Sequence, residues 1–205
     1  NNIIMEKNIL LDHLLIAVSK EEFEYWKEKS NVLDFVYSTK KDLAKSSHDA
    51  CYIRANSLFY LEIIEEDNYP GRIGLSFGDL YDENNLLDYL KLKYPNWEFE
   101  EKKTYYLDEH WYSAYFSKET ESKISFTWFI EYKDKFLKER QNELKNKNNI
   151  TFKIILSEEE YKDFITIIKK FDFIIEESSY KTVIRDMLEN YFTILIKDNP
   201  DKRIE

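Results

Sequence analysis

The sequence has little cysteine and little histidine, and each shortage excludes a class of site. Among 205 residues there is one cysteine, Cys51, so neither an internal disulfide nor a zinc site built from several cysteines can form. The histidines number three, which argues against a histidine-rich metal site (His13, His48 and His110). A single cysteine also fits a reducing compartment, and we expect a cytoplasmic protein.

Basic residues are in the minority as well. Thirty Lys and Arg face 40 Asp and Glu, which gives a net charge of −10. Nucleic-acid backbones and anionic membranes attract clustered Lys and Arg, so neither is expected as a partner. No stretch approaches the ~20 apolar residues of a membrane span, and residues 1–8 lack the features of a signal peptide. Hydrophobic residues still make up 43% and aromatic residues 17%, which is typical of a globular protein with a buried core.

The chain opens with an apolar strand that leads into a helix. Residues 10–18 are predicted to form this strand, which carries His13. Ser19 and Glu22 have the spacing of a capping box at the start of the helix. Three strand-like stretches follow, and the last of them holds Glu62 in an otherwise apolar run. The order of elements is therefore β-α-β-β-β.

The same order returns twice, which predicts an α+β fold built from repeated βαβββ units. The first two units span residues 8–67 and 71–133. The last strand of the second unit again carries one carboxylate, Glu131. The charged residues 134–149 are interpreted as a solvated helical connector, and residues 150–198 as a third βαβββ-like unit.

Such units, opening with Leu-Asp-His-Leu-Leu-Ile-Ala-Val and closing with Tyr-Leu-Glu-Ile-Ile, resemble the vicinal oxygen chelate superfamily. This superfamily includes glyoxalase I, extradiol dioxygenases, and bleomycin and fosfomycin resistance proteins. The chain looks most like its glyoxalase-like branches of unassigned function. The resemblance implies that the first two units pair as one domain, residues 8–133. It also implies that their strands form a curled mixed sheet, which makes a cup around a metal ion.

The resemblance also implies a set of metal ligands, one on the first and one on the last strand of each unit. The matching residues are His13, Glu62 and Glu131, whereas the fourth position falls on Gly74, or on Ile73 in a shifted register. Three ligands could hold a divalent ion of unknown identity, with open positions for water or substrate. We therefore expect His13, Glu62 and Glu131 to converge on one cavity. A degenerate site that has lost its metal is the alternative.

Four further residues are candidates for binding a ligand in the cup. Tyr60 shares a strand face with Glu62, because strand residues alternate between faces. His110 and Tyr112, two residues apart, could line the same cup. Arg54 is the one cation in its strand and could pair with Glu62, with an anionic ligand, or with a surface carboxylate.

The leading interpretation is a glyoxalase-like protein that binds a small polar ligand in the cup. As a lyase or isomerase it would use the metal as a Lewis acid, with Glu62 or Glu131 as ligand or general base. The alternative is a non-enzymatic module for ligand sequestration or protein interaction, since a fold does not fix a function. The third unit is expected to be structural, and either to dock on the first two or to find its copy in a homodimer.

One motif indicates a different chemistry. Gly-Leu-Ser-Phe-Gly at residues 74–78 matches G-x-S-x-G, the nucleophile elbow of serine hydrolases. That elbow needs a tight strand-to-helix turn in a parallel sheet, followed by an acid and a histidine. The parallel pattern is absent and only His110 follows the motif, so Ser76 is expected to be inert.

Overall fold

The computed structural model describes residues 7–30, 36–39, 50–54, 59–80, 85–143 and 150–205. The first unit comprises β1 (Leu10–Val18), α1 (Lys20–Ser30), β2 (Val36–Thr39), β3 (Ala50–Arg54) and β4 (Tyr60–Glu65). The second comprises β5 (Ile73–Gly78), α2 (Leu86–Lys93), β6 (Glu100–Tyr106), β7 (Glu109–Phe116) and β8 (Ser125–Tyr132). Helix α3 (Asp134–Glu143) then leads to the third unit, which comprises β9 (Lys153–Leu156), α4 (Glu158–Ile168), β10 (Ile174–Glu177), β11 (Lys181–Arg185) and β12 (Tyr191–Ile196).

The strand order confirms the predicted fold class. The first two units share one curled eight-stranded sheet, the first sheet, in the order β2-β3-β4-β1-β5-β8-β7-β6. Within each unit the first and last strands are parallel neighbours, and the two units join through antiparallel β1 and β5. The third unit forms a separate second sheet in the order β10-β11-β12-β9. The repeat read from the sequence therefore corresponds to three βαβββ units, two of them paired.

The two faces of the first sheet pack against different partners. One face carries Leu14, Ile16 and Leu75, and belongs to a large core that includes the apolar faces of α1, α2 and α4. The opposite face carries Leu10 and Leu15 and belongs to a second, smaller cluster. We refer to this second face, and to the side chains that stand on it, as the cup.

The third unit docks on the first two from the side of the large core. Phe59, just before β4, stacks on Phe152 and Phe192 with ring centroids 5.3 and 5.5 Å apart. Phe77 of β5 packs edge-to-face against Phe171 at 4.6 Å. Of the two arrangements expected for this unit, docking on the neighbouring units is therefore the one present within the chain.

The two capping boxes differ. At the start of α4, Ser157 and Glu160 exchange both hydrogen bonds. At the start of α1, the Glu22 backbone N–H donates to Ser19 Oγ at 3.2 Å. The Glu22 carboxylate instead accepts from the backbone N–H groups of residues 203–204. The second half of the predicted box at α1 is thus replaced by a contact that binds the third unit to the first.

The connector is not a solvated helix, and this expectation was wrong for its described part. Helix α3 buries Phe136, Leu137 and Arg140. Leu137 belongs to the cluster on the cup face, and the Gln141 side-chain amide donates to the Leu80 carbonyl at 3.0 Å. Its charged composition concealed one buried face, which closes over the cup.

Candidate functional site

An irregularity in β1 brings two polar residues to the floor of the cup. The pairing of β1 with β5 shifts between Leu11 and His13. Such a bulge lets neighbouring residues point to the same side of a sheet. Asp12 accepts a hydrogen bond from Tyr132 at 2.9 Å, while His13 packs on the edge of Trp128. Tyr132 and Trp128 both belong to the cluster on the cup face, so Asp12 and His13 share one site.

The His13 imidazole is held between two carboxylates and two rings. Its Nδ1 lies 2.6 Å from Asp12 Oδ2, and its Nε2 lies 3.5 Å from Glu62 Oε2. Tyr60 stacks on the imidazole with centroids 4.6 Å apart, and Trp128 meets it edge-on at 5.3 Å. A carboxylate only accepts hydrogen bonds, so Nδ1 carries a proton and Nε2 is the atom turned toward Glu62.

Asp12 is fully buried and is held as a carboxylate by its neighbours. Arg140 Nε donates to Asp12 Oδ1 at 3.1 Å, and Arg140 Nη2 donates to the Asp12 backbone carbonyl at 3.2 Å. Burial alone would raise the pKa of the Asp12 carboxyl, but the Arg140 charge and the His13 hydrogen bond hold that pKa below its usual value. Asp12 therefore remains charged, and it orients the imidazole.

The second carboxylate beside His13, that of Glu62, accepts a hydrogen bond from a tyrosine, and two further tyrosines of the cup have raised pKa values. Tyr52 donates to Glu62 Oε1 at 3.2 Å, and the Glu62 side chain is 13% exposed. Burial raises the pKa of the Tyr112 phenol, and the charges of Glu62 and Asp12 raise it further. Burial also raises the pKa of Tyr60 well above its usual value. These phenols therefore stay protonated and can donate hydrogen bonds inside the cup.

Arg54 stands at the rim of the same half of the cup. It pairs with Tyr60 across the β3–β4 ladder. Its neighbour Ile53 belongs to the large core on the opposite face. Alternation along β3 therefore places Arg54 on the cup face with Tyr52.

Ser76 lies on the cup face, directly beside His13 in the β1–β5 ladder. Its neighbours Leu75 and Phe77 belong to the large core, so alternation turns Ser76 toward the cup. It is fully buried, and its Oγ has no hydrogen-bond partner within the described part of the chain. His13 therefore does not activate this hydroxyl in the manner of a serine hydrolase.

Glu131 does not converge with His13 and Glu62, and the expected three-residue site is wrong at this position. One Glu131 oxygen accepts from the Leu86 backbone N–H at 3.1 Å, at the start of α2. The other accepts from Tyr115 at 3.4 Å and also contacts Lys133. Leu86 and Tyr115 both belong to the large core, so Glu131 lies on the face opposite to the cup.

The register of β8 explains this difference. Trp128, Ile130 and Tyr132 stand on the cup face, whereas Phe129 belongs to the large core. A shift of one residue along a strand exchanges the two faces. Tyr132 consequently occupies the place in the cup where the resemblance implied Glu131.

His110 is also absent from the cup. Its Nε2 lies 3.0 Å from the Ser113 hydroxyl, which donates to Glu101 at 2.7 Å. Ser113 pairs with Glu131 across the β7–β8 ladder and so lies on the opposite face. Tyr112 stands on the cup face, with its ring 6.1 Å from that of Tyr132.

Aromatic rings fill the half of the cup that the second unit contributes. A Cβ added to Gly74 would lie 2.7 Å from the Phe126 ring and 2.8 Å from the Trp128 ring. Phe126 and Phe116 both stack on Trp128, with centroids 5.3 and 6.0 Å away. The glycine thus lets the rings lie directly on β5, where a fourth metal ligand would otherwise stand.

The side chains present do not fit a resident divalent ion. His13 and Glu62 offer two donor atoms, whereas catalytic zinc sites keep three protein ligands. The Arg140 guanidinium lies 5.1 Å from the Tyr60 ring and adds positive charge beside the pair. Within the described ranges, no group of three His, Cys, Asp or Glu could hold a metal. His48 lies outside these ranges.

Three residues of the site escaped the sequence analysis: Asp12, Tyr132 and Arg140. Asp12 carried a usable signal, because it is a second polar residue next to His13 in an apolar strand. Tyr132 directly follows Glu131, so it would have been predicted in the cup if the opposite face of β8 had been assigned to the cup. Arg140 follows buried Phe136 by one helical turn, and this i, i+4 spacing was the one sign of a common face.

No family model and no curated protein matches the chain. Among solved structures, a Mn(II)-bound glyoxalase from Novosphingobium aromaticivorans is 10% identical, with 94% of this chain and 63% of that chain covered and a TM-score of 0.42. A mutant 4-hydroxymandelate synthase from Streptomyces coelicolor is 8% identical, with coverages of 95% and 64% and a TM-score of 0.44. A proposed dioxygenase from Bacillus subtilis is 12% identical, with coverages of 96% and 64% and a TM-score of 0.37.

These similar structures have glyoxalase and dioxygenase folds of the vicinal oxygen chelate superfamily, which the sequence motifs resemble. At such low identity the likeness carries no information on activity. The chain spans less than two thirds of the length of each of these three proteins. None of the helices in the described residues is long and apolar enough to cross a membrane.

Proposed function

We propose that the chain binds a small polar molecule over His13 and Glu62, in the half of the cup that the first unit contributes, without a resident divalent ion. The observation that supports this proposal is the relation between His13 Nε2 and Glu62 Oε2, which face each other at 3.5 Å. At this separation a bound hydroxyl group can contact both atoms at ordinary hydrogen-bond distances, which are ~2.7–3.2 Å.

The same geometry supports a role in proton transfer. Asp12 fixes the ring with Nδ1 protonated, which leaves Nε2 and the Glu62 carboxylate to exchange a proton with a ligand. The reaction class that follows is isomerisation or elimination next to a carbonyl. Tyr52, Tyr60 and Tyr112 would orient the ligand through their hydroxyls, and Arg54 would meet a negatively charged group. Glu131 takes no part.

A second candidate is a binding module without catalysis. It is favoured by the aromatic filling over Gly74, which leaves one half of the cup for a ligand. The closure of the cup by Arg140 of α3 also favours it, because Arg140 is buried. In this alternative the residues around His13 hold a molecule and release it unchanged.

Thermal-shift screening against small hydroxy acids, keto acids and aldehydes tests the proposal. Glu62→Gln should abolish the stabilisation by any hit, whereas Glu131→Gln should retain it, because Glu131 lies on the other face. A hit retained by Glu62→Gln but lost in Glu131→Gln would place the site elsewhere. NMR spectra of the incubated hit then separate the two candidates, since an enzyme converts the compound and a module returns it.

Metal analysis of protein purified without chelator tests whether the site lacks a resident divalent ion. We expect less than one equivalent of any divalent ion, because two donor atoms form a weak site. One ion per chain that disappears in Glu62→Gln would overturn the metal-free proposal.

A further inference from the structure

A cavity separate from the cup lies on the large-core side of the first sheet, where the third unit meets the second. Its wall consists mostly of six aromatic rings, those of Phe77, Tyr89, Tyr94, Phe129, Phe171 and Phe173. The volume is about 70 Å³. One water molecule needs about 10–15 Å³ of a cavity, so this one has room for about five non-hydrogen atoms. The cavity therefore fits a small ligand with an apolar part.

The aromatic wall is fixed by contacts between the two units. Phe171, which follows α4, meets rings of the second unit edge-to-face. Its ring centroid lies 4.6 Å from that of Phe77, 5.7 Å from that of Phe129 and 6.3 Å from that of Tyr94. Phe77, Phe129 and Phe171 are all buried. Close-packed rings keep their positions, so the space between them is preformed for an apolar group.

Lys93 of α2 stands at the mouth of this cavity. Its Nζ lies 5.7 Å from the Tyr89 ring centroid and 5.8 Å from the Tyr94 centroid, and it contacts the Asp172 carboxylate. Burial lowers the pKa of Lys93, but hydrogen bonds with Asp172 and Tyr89 raise it to about 12, so the ammonium group is charged. The Asp172 side chain is 78% exposed. An ion pair with an exposed carboxylate contributes little, and another carboxylate can take its place.

The other charged groups of the wall have fixed partners. Lys7 Nζ lies 3.3 Å from Asp79 Oδ2, and both residues are buried. Asp186 is buried as well, and it accepts from the Leu11 backbone N–H at 2.9 Å. Removal of either partner would leave a buried polar group unpaired, which is costly. Lys93 is therefore the charged group of the wall that can exchange its partner for a ligand.

A turn of the third unit completes the mouth. Asp186 Oδ1 accepts from the Leu188 N–H at 2.9 Å and from the Asn190 N–H at 3.0 Å, which fixes the connection between β11 and β12. Met187 in this turn borders the cavity and is 67% exposed. A methionine side chain is unbranched and adapts to what it covers. The mouth thus combines a fixed backbone with one side chain that can close over a ligand.

We infer that this cavity binds a short-chain aliphatic carboxylate, with the alkyl chain among the aromatic rings and the carboxylate on Lys93 in place of Asp172. Room for about five non-hydrogen atoms matches the carbon chain of valerate. Asp172, once displaced, turns into solvent, so neither carboxylate is buried without a partner. The inference does not rest on the function proposed for the cup. Besides its structural role, the third unit forms one wall of this site.

Titration of the full chain with a series of acids, followed by NMR of isotope-labelled methionine methyl groups, tests the inference. The chain has two methionines, so Met187→Leu identifies the Met187 signal. We expect this signal to move in a saturable way, with affinity rising about fourfold for each added methylene from acetate to valerate. Octanoate, which exceeds the cavity, should bind no better than valerate. No saturable movement, or a steady rise through octanoate, would overturn the inference.

Changes of charge at the mouth provide the second test. Lys93→Gln should weaken valerate binding about tenfold or more, and the neutral analogue valeramide should bind the unsubstituted chain as weakly. Lys91→Gln is the matched control, since Lys91 is exposed on the same helix, and it should change nothing. Asp172→Asn removes the competing carboxylate and should strengthen binding about twofold or more. Equal affinities of Lys93→Gln and Lys91→Gln, or no gain in Asp172→Asn, would overturn the inference.

Glu62→Gln separates this site from the cup. Leu61 and Ile63 belong to the large core, so alternation places Glu62 on the opposite face of the first sheet. Valerate should therefore move the Met187 signal of Glu62→Gln as it does in the unsubstituted chain. Loss of that movement in Glu62→Gln would place the acid in the cup and overturn the assignment, whereas a failure of the function proposed for the cup would leave the movement intact.

Discussion

Arg140 Nε lies 3.1 Å from Asp12 Oδ1, and this pair joins helix α3 to the floor of the cup. Both side chains are buried, with 7% of Arg140 and none of Asp12 exposed. Removal of one partner from a buried ion pair leaves an uncompensated charge, which costs more than the pair contributes when intact. The pair is therefore the contact through which α3 and the site depend on each other.

The first prediction concerns the stability that this pair provides. Arg140→Met should lower the free energy of unfolding by about 3–5 kcal/mol, because Asp12 is left charged and buried. Urea unfolding measures the loss. Lys135→Met is the matched control on the same helix, since Lys135 pairs with exposed Glu109 and should show no measurable loss. Equal losses of unfolding free energy in Arg140→Met and Lys135→Met would contradict the claim that the buried pair contributes more than the exposed one.

The second prediction concerns pH. The folded pKa of Asp12 lies below its ordinary value of 3.8. A depressed carboxylate pKa contributes stability above the unfolded pKa, and this contribution disappears as the pH falls through the folded pKa. The unfolding free energy should therefore drop more steeply below pH 3.8 in the unsubstituted protein than in Asp12→Asn. Parallel pH curves for the two proteins would show that Asp12 is not the group responsible.

The fold could be predicted because its signals are local and repeated. Apolar strands and strand alternation recur in each unit, a serine cap opens α1 and α4, and the order of the elements predicts the repeat. The pairing of the first two units is what the resemblance implied. His13 and Glu62 could be singled out from the sequence because each is the polar exception in an apolar strand, and the structure brings them within 3.5 Å of each other. Alternation shows which residues of a strand share a face, but it does not show which of the two faces forms the cup. For Glu131 that choice depends on the Leu86 N–H, 45 residues away in sequence.

Arg140 shows a second limit. Its helix is charged along most of its length, and the apolar face is confined to Phe136 and Leu137. The fixed partner of Arg140 is Asp12 in the first strand, 128 residues away. No local pattern indicates a contact between residues so distant in sequence.

The third prediction separates Glu131 from the site. Glu131→Ala leaves the buried Leu86 N–H without its acceptor, which should cost about 1–3 kcal/mol of unfolding free energy. The imidazole NMR signals of His13 should not move, because the two side chains lie on opposite faces of the sheet. In Glu62→Ala the His13 signals should shift. A His13 shift in Glu131→Ala equal to that in Glu62→Ala would contradict this assignment.

The fourth prediction is that Ser76 does not react. Its Oγ is buried and donates no hydrogen bond to His13 or to any other group in the described part of the chain, so no base there activates it. A fluorophosphonate probe should not label the folded protein, and Ser76→Ala should leave that result unchanged. Labelling that disappears in Ser76→Ala would identify a nucleophile and restore the hydrolase interpretation.

The last prediction concerns the third unit, which we expect to be structural. Phe59 is 1% exposed and lies between Phe152 and Phe192, so it joins the first unit to the third. Phe59→Ala should lower the unfolding free energy by about 3–5 kcal/mol, because truncation of a fully buried phenylalanine leaves a cavity. Tyr69→Ala is the control, since Tyr69 is 68% exposed and its removal should have little effect.

Deletion of residues 150–205 extends the same argument to the whole unit. The deletion exposes the face of the first sheet that α4 and the third unit cover, which includes Phe77 and Phe129. An apolar surface of this kind is an aggregation liability. Size-exclusion chromatography should therefore show aggregation, or thermal unfolding a lower melting temperature, while His13 and Glu62 remain in the truncated chain. If the truncated chain is monodisperse and equally stable but no longer binds a compound that binds the full chain, the functional site belongs in the third unit.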